Sequence, residues 1–197
     1  MGSTGVFSTM RYFAVMKALR PLANGILAFF LLMAAPVMAG TRLDDLFQQL
    51  QTATDEEAGT VTQNIWIEWS KSGSASMDLL LRRGQDALSA GDPQAAIDHL
   101  TALIDHAPDF AEGYNERATA YFQIGEIGLS VADIAKTLAL NPRHFGALAG
   151  LGMIFEQLNE PDKALEVYRE ALTLNPHMKE VRAGVTRLEA QLGGQEL

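Results

Sequence analysis

Pro108, Pro142 and Pro176 stand 34 residues apart, and around each the same pattern of apolar and small residues recurs. The chain therefore repeats one supersecondary unit in tandem. A unit of that size cannot bury its own hydrophobic face, so copies must stack side by side into a solenoid whose broad surface is free to recognise other molecules. In register, the copies run 77–110, 111–144 and 145–178, with no insertion between them.

Each column of that register has a physical reading. Gly84, Ala118 and Gly152 coincide, as do Ala96, Ser130 and Ala164. These small residues let two helices of a pair approach closely. Larger side chains fill the space beside that contact: Tyr121 and Phe155, in a column where the first copy has Ala87; Leu100, Ile134 and Tyr168; Ile104, Leu138 and Leu172. Local chemistry marks the helix limits. Asp92-Pro93 is a helix start, with Asp as N-cap and Pro where no donor is lost, and Pro161 holds the equivalent place two copies later. Gly91, Gly125 and Asn159 sit at the turn inside each pair, where a left-handed backbone is needed. The three periodic prolines end each second helix, because the residue before a proline is pushed out of the α region.

The middle copy reads Tyr114, Arg117-Ala118, Tyr121, Ser130, Ile134, Thr137 and Pro142; the third reads Leu148, Leu151-Gly152, Phe155, Ala164, Tyr168, Ala171 and Pro176. This pattern resembles the tetratricopeptide repeat (TPR) family. The resemblance covers 77–178 and implies an all-α solenoid of helix-turn-helix pairs, with 179–197 as a C-terminal capping helix and tail. Val181, Val185 and Leu188 share one face of that last helix, opposite Lys179, Arg182, Arg187 and Glu189. Ser130 and Thr137 depart from the family's small apolar choices, and their hydroxyls are expected to bond back to the preceding turn.

Residues 1–39 differ in kind: Arg11, Lys17 and Arg20 are their only charges, and an apolar run extends from Ile26 to Ala39. This reads as a secretory signal peptide cleaved after Ala39, with Met10 an alternative start. An uncleaved anchor is disfavoured, because spanning a bilayer takes about 20 apolar residues. No cysteine is present, so a lipobox is excluded, along with disulfides and thiolate sites. The expected location is the periplasm or another exported compartment. Residues 40–76 show two helical stripes, Leu43, Leu46, Phe47 and Leu50, then Val61, Ile65, Trp66 and Trp69, without the proline signature. They are expected to form a degenerate helical hairpin covering the first repeat, with the tryptophans sealing its apolar end. The same tryptophans could instead form an exposed docking patch.

The formal charge is −9, and since three of the fifteen basic residues and none of the 24 acidic ones precede Gly40, the remainder carries −12. That sign disfavours nucleic acid and anionic lipid as partners. His99, His106, His144 and His177 lack metal-site spacing and read as solvated or helix-terminal; Asp55-Glu56-Glu57 reads as a solvated turn. With no phosphate loop, nucleophile elbow or paired catalytic acids, no enzyme, cofactor or metal is expected. In the family the first helix of each pair lines the concave side, which implies a groove built from Leu81, Gln85 and Leu88, then Asn115, Thr119 and Phe122, then Ala149, Met153 and Glu156. Co-chaperones of the family clamp a C-terminal carboxylate with Lys, Asn and Arg. Here the corresponding places hold Leu81, Gln85, Glu116, Gly146 and Gly150, so that activity is not implied. Two functions follow: a binding or scaffold module for a peptide or protein segment, linked by resemblance to envelope assembly or integrity, or a self-associating structural element using the groove or the Trp66 and Trp69 face.

Overall fold

The computed structural model describes residues 42–193. The expected signal peptide and the last tail residues lie outside them. Among the described residues there are only helices and turns: α1 (Arg42–Thr52), α2 (Asp55–Trp69), α3 (Ala75–Ser89), α4 (Pro93–His106), α5 (Ala111–Gln123), α6 (Ile127–Leu140), α7 (Phe145–Gln157), α8 (Pro161–Leu174) and α9 (Lys179–Gly193). None of these is long and apolar enough to cross a membrane. The helices α3 to α8 form the three expected pairs and α9 packs on α8, as the fold class anticipates.

The turns inside the pairs take the left-handed backbone, with φ of 74° at Gly91, 78° at Gly125 and 57° at Asn159. Asp92 accepts from the Ala95 N–H at 3.0 Å, and Pro93 and Pro161 stand in the first turns of α4 and α8. The small-residue column does what it must. A Cβ on Gly84 would lie 2.6 Å from the Leu100 side chain, and one on Gly152 would run into the ring of Tyr168. At Ala118 the hydroxyl of Ser130 donates across the helix pair to the Ala118 carbonyl at 2.8 Å, so it bridges the two helices and does not bond back as expected. Thr137 does bond back, to the Asp133 carbonyl at 2.9 Å.

The hairpin α1–α2 exists, but it does not cover the first repeat. It lies on the third. Phe47, Trp66 and Trp69 gather around Phe145 at the start of α7, with ring centroids 6.2, 5.6 and 4.9 Å away, and Leu174 and Met178 close the cluster. Polar contacts fix the seat: the Gln51 amide donates to the Leu174 carbonyl at 2.9 Å, His177 meets Asp55 at 2.8 Å, and Arg143 pairs with Asp44 at 2.7 Å. The cause is a break in repeat symmetry. Gly146 aligns with Asp78 and Glu112 of the earlier copies, and only glycine allows the Trp66 ring to come within 2.5 Å of where a Cβ would stand. Asp55, Glu56 and Glu57 are the first turn of α2, not a loop. Thr54 caps it, and Glu57 answers with a 2.9 Å bond from the Thr54 N–H.

Candidate functional site

The first helices of the pairs and α2 enclose a groove of two joined chambers. The larger, about 900 Å³, is walled by Gln63, Trp66, Ile67, Ser70 and Lys71 on the α2 side, by Asp78, Leu81, Arg82 and Gln85 of α3, and by Asn115, Glu116 and Thr119 of α5. The smaller, about 130 Å³, lies between α5, α6 and α7, with Phe122, Ile134, Met153 and Ile154 around a floor of Gly146, Ala147 and Gly150. Asn115, Thr119 and Gly146 line both.

Of the residues expected to face one groove, Gln85, Asn115, Thr119, Phe122 and Met153 do meet there. Met153 leaves 53% of its surface open and Thr119 is exposed. Leu81 is corrected: at 1% exposure it belongs to the core with Ala96, Ile97 and Leu100, and it reaches the groove only as part of its floor. Leu88, near the end of α3, packs against that same core and lies outside the groove. Ala149 packs with the core of the third repeat. Glu156 is drawn to the opposite side, where the Tyr168 hydroxyl donates to it at 2.8 Å and Arg187 pairs with it. Tyr168 and Arg187 come from the following helices, so Glu156 ties the third pair to its cap.

Beneath the groove lies a buried polar network that sequence reasoning missed. His144 is helix-terminal, one of the two expected placements, but it is fully buried. Its Nδ1 accepts the Ala147 N–H at 3.0 Å, capping α7, which leaves Nε2 to donate to Glu112 at 2.9 Å. Trp69 stacks on the imidazole at 4.3 Å, so the network also supports the docked hairpin. Asn115 donates to Glu112 at 3.2 Å, and Gln85 donates to Glu116 at 2.8 Å. Burial and the neighbouring Glu112 carboxylate push Glu116 up to about 7. Asp78, held by the hydroxyl and N–H of Ser72, is kept below its usual range. One signal was present in the sequence: Glu112 and Glu116 are one turn apart, on the face where the third copy has Gly146 and Gly150.

No group of three or more metal-ligating side chains assembles among the described residues. The groove offers amides, hydroxyls, charges of both signs and an apolar chamber, which is equipment for holding a side chain and its backbone.

The repeat architecture is that of the tetratricopeptide family, and comparison with known proteins agrees. Tetratricopeptide repeat models match residues 81–136 and 146–178. A TPR repeat-containing protein of Rhizobium etli is 32% identical over 206 residues, covering 95% of this chain and 98% of that one. The chain belongs to the tetratricopeptide repeat family. A Protein SGT1 homolog of Bos taurus is 36% identical over 122 residues, which take in 61% of this chain but only 36% of that protein. Among solved structures, the first TPR of Spaghetti (RPAP3), bound to the HSP90 peptide SRMEEVD, superposes with a TM-score of 0.57 at 24% identity, covering 59% of this chain and 93% of that one. MamA gives 0.56 at 20% identity over 79% of this chain and 87% of its own. At these identities the structures share the fold. The matching families are repeat families, not catalytic ones.

Proposed function

We propose that this chain is a non-enzymatic protein-binding module that holds a peptide or protein segment in the two-chambered groove. The observation that carries the reading is the groove itself: an apolar chamber sized for one side chain opens into a wider space lined by Gln63, Gln85, Asn115 and Thr119, whose amides and hydroxyls can engage a backbone. The RPAP3 domain binds an HSP90 peptide, and that peptide, SRMEEVD, is acidic. An acidic tail suits this groove poorly, since the Glu116 carboxylate lines its larger chamber. The proposal has a finer part: the first 39 residues support export of the module to the periplasm, and the resemblance to exported repeat proteins suggests a partner in envelope assembly or integrity. Both indoles pack on the chain's own third repeat, so the alternative reading, a self-associating structural element, would use the groove.

The test is affinity capture from a bacterial periplasmic extract by the chain from Gly40 onward, beside Phe122→Ala and Asn115→Ala. A partner retained by the parent and lost by both variants, with helicity unchanged, is the expected result. Equal recovery by all three would remove the groove as the binding site. N-terminal sequencing of the protein from a periplasmic fraction checks the export claim, with Gly40 expected as the first residue.

A further inference from the structure

Two of the charged side chains that line the larger chamber are engaged inside the chain: Lys71 pairs with Glu68 at 2.7 Å, and Asp78 is held by Ser72 with Arg82 near it. Beneath the chamber Glu112 is satisfied by His144 and Asn115. Glu116 differs. It faces the larger chamber and takes a hydrogen bond from the Gln85 amide, yet among the described residues no lysine, arginine or histidine pairs with it. Asn115, Thr119 and Gly146, which line both chambers, connect this carboxylate to the apolar chamber under Phe122 and Met153. A single short segment can therefore occupy both. The chain as a whole carries −9, which draws cationic segments toward it and repels acidic ones.

We propose that the groove selects a segment presenting a lysine or arginine, whose head lodges against Glu116 while a neighbouring apolar side chain fills the Phe122–Met153 chamber. This rests on reading the groove as the protein-binding site, and it names the chemistry of the partner. It also predicts a proton link. The groups facing Glu116 are Glu112 on its own helix, Gln85, Asp78 and Arg82 from α3, Lys71 beyond α2, and His144 through Glu112. Glu112 and burial hold the Glu116 proton on up to about 7. An arriving ammonium or guanidinium favours the ionised form, so the cation takes the proton's place.

The experiment uses the chain from Gly40 onward and short fluorescein-labelled peptide pools that fix lysine, glutamine or glutamate at the centre and leucine nearby, with neutral residues elsewhere. Anisotropy should rank lysine over glutamine over glutamate in the parent. Affinity for the lysine pool should rise about tenfold from about pH 6 to about pH 8. In Glu116→Gln both the ranking and the rise should disappear. Calorimetry of the parent in buffers of different ionisation enthalpy supplies a second readout that needs no variant, with proton release expected near neutral pH. Pools that bind without charge preference, yet are lost in Phe122→Ala, would overturn the basic-segment assignment and leave the groove reading standing. Binding indifferent to Phe122→Ala and Asn115→Ala would overturn both. Failure of the lysine pool to bind, or a lysine preference that survives Glu116→Gln, would also end the proposal.

Discussion

Glu116 should make the fold less stable as the solution becomes more alkaline. Its carboxyl is raised from 4.5 to about 7 in the folded chain, so between those values the native state holds more proton than the unfolded one. Stability from this group is complete below about pH 4.5 and is lost as pH rises through about 7, on the order of 2 kcal/mol after allowance for partial exposure. Urea midpoints across that window should fall in the parent and stay flatter in Glu116→Gln. Asp55, Glu57, Glu68 and Asp78 are lowered, so their contributions fade only below the window. The Glu112–His144 contact makes a second residue-level claim. Removing the acceptor in Glu112→Ala leaves a buried imidazole N–H unanswered, which should cost about 1–3 kcal/mol in chemical denaturation. The sequence shows Glu112 and Glu116 one turn apart, but not the burial or the partner that produces either effect. Glu112 and His144 are 32 positions apart, at opposite ends of the middle copy, and each in isolation looks like a surface polar residue.

The helices themselves were open to reading because their signals are local. Asp92 and Pro93 fix one start, Gly91, Gly125 and Asn159 need their left-handed φ, and the small-residue column needs two helices close together. Gly152 shows the cost of breaking that column. Its missing Cβ leaves room for the Tyr168 ring, which in turn donates to Glu156, so Gly152→Leu must push the ring away and disturb the link to Arg187. A loss of about 1–3 kcal/mol and a lower melting temperature by circular dichroism are expected. An unchanged melting curve would contradict the packing. What local signals could not give was the seat of α1–α2, since that depends on which repeat lacks a side chain at the right place. The clue lay in the exceptions. Gly146 and Gly150 replace Glu112 and Glu116 of the preceding copy, and a reading built on what the repeats share passes over positions where they differ.

Those exceptions tie the α1–α2 hairpin to the third repeat and give the groove its second wall. The segment Ser70–Ser74, with Gly73 at φ 82°, joins α2 to α3, so the hairpin reaches back along the inner face and supplies Gln63, Trp66, Ile67 and Lys71 to the larger chamber. A plain stack of three repeats would lack that wall. Gly146→Val tests the dependence because it puts carbon where the Trp66 ring now lies, while valine remains tolerable in a helix. The expected outcome has two parts. Tryptophan emission should shift to the red and amide exchange should quicken over 42–69, with the exchange of α3 to α6 unchanged; and affinity for any ligand of the groove should fall together with the undocking. Exchange and affinity are carried by different atoms, so the combination is informative. If the hairpin loosens while affinity holds, the ligand rests on α3 and α5 alone, and α2 serves the stability of the third repeat without taking part in recognition.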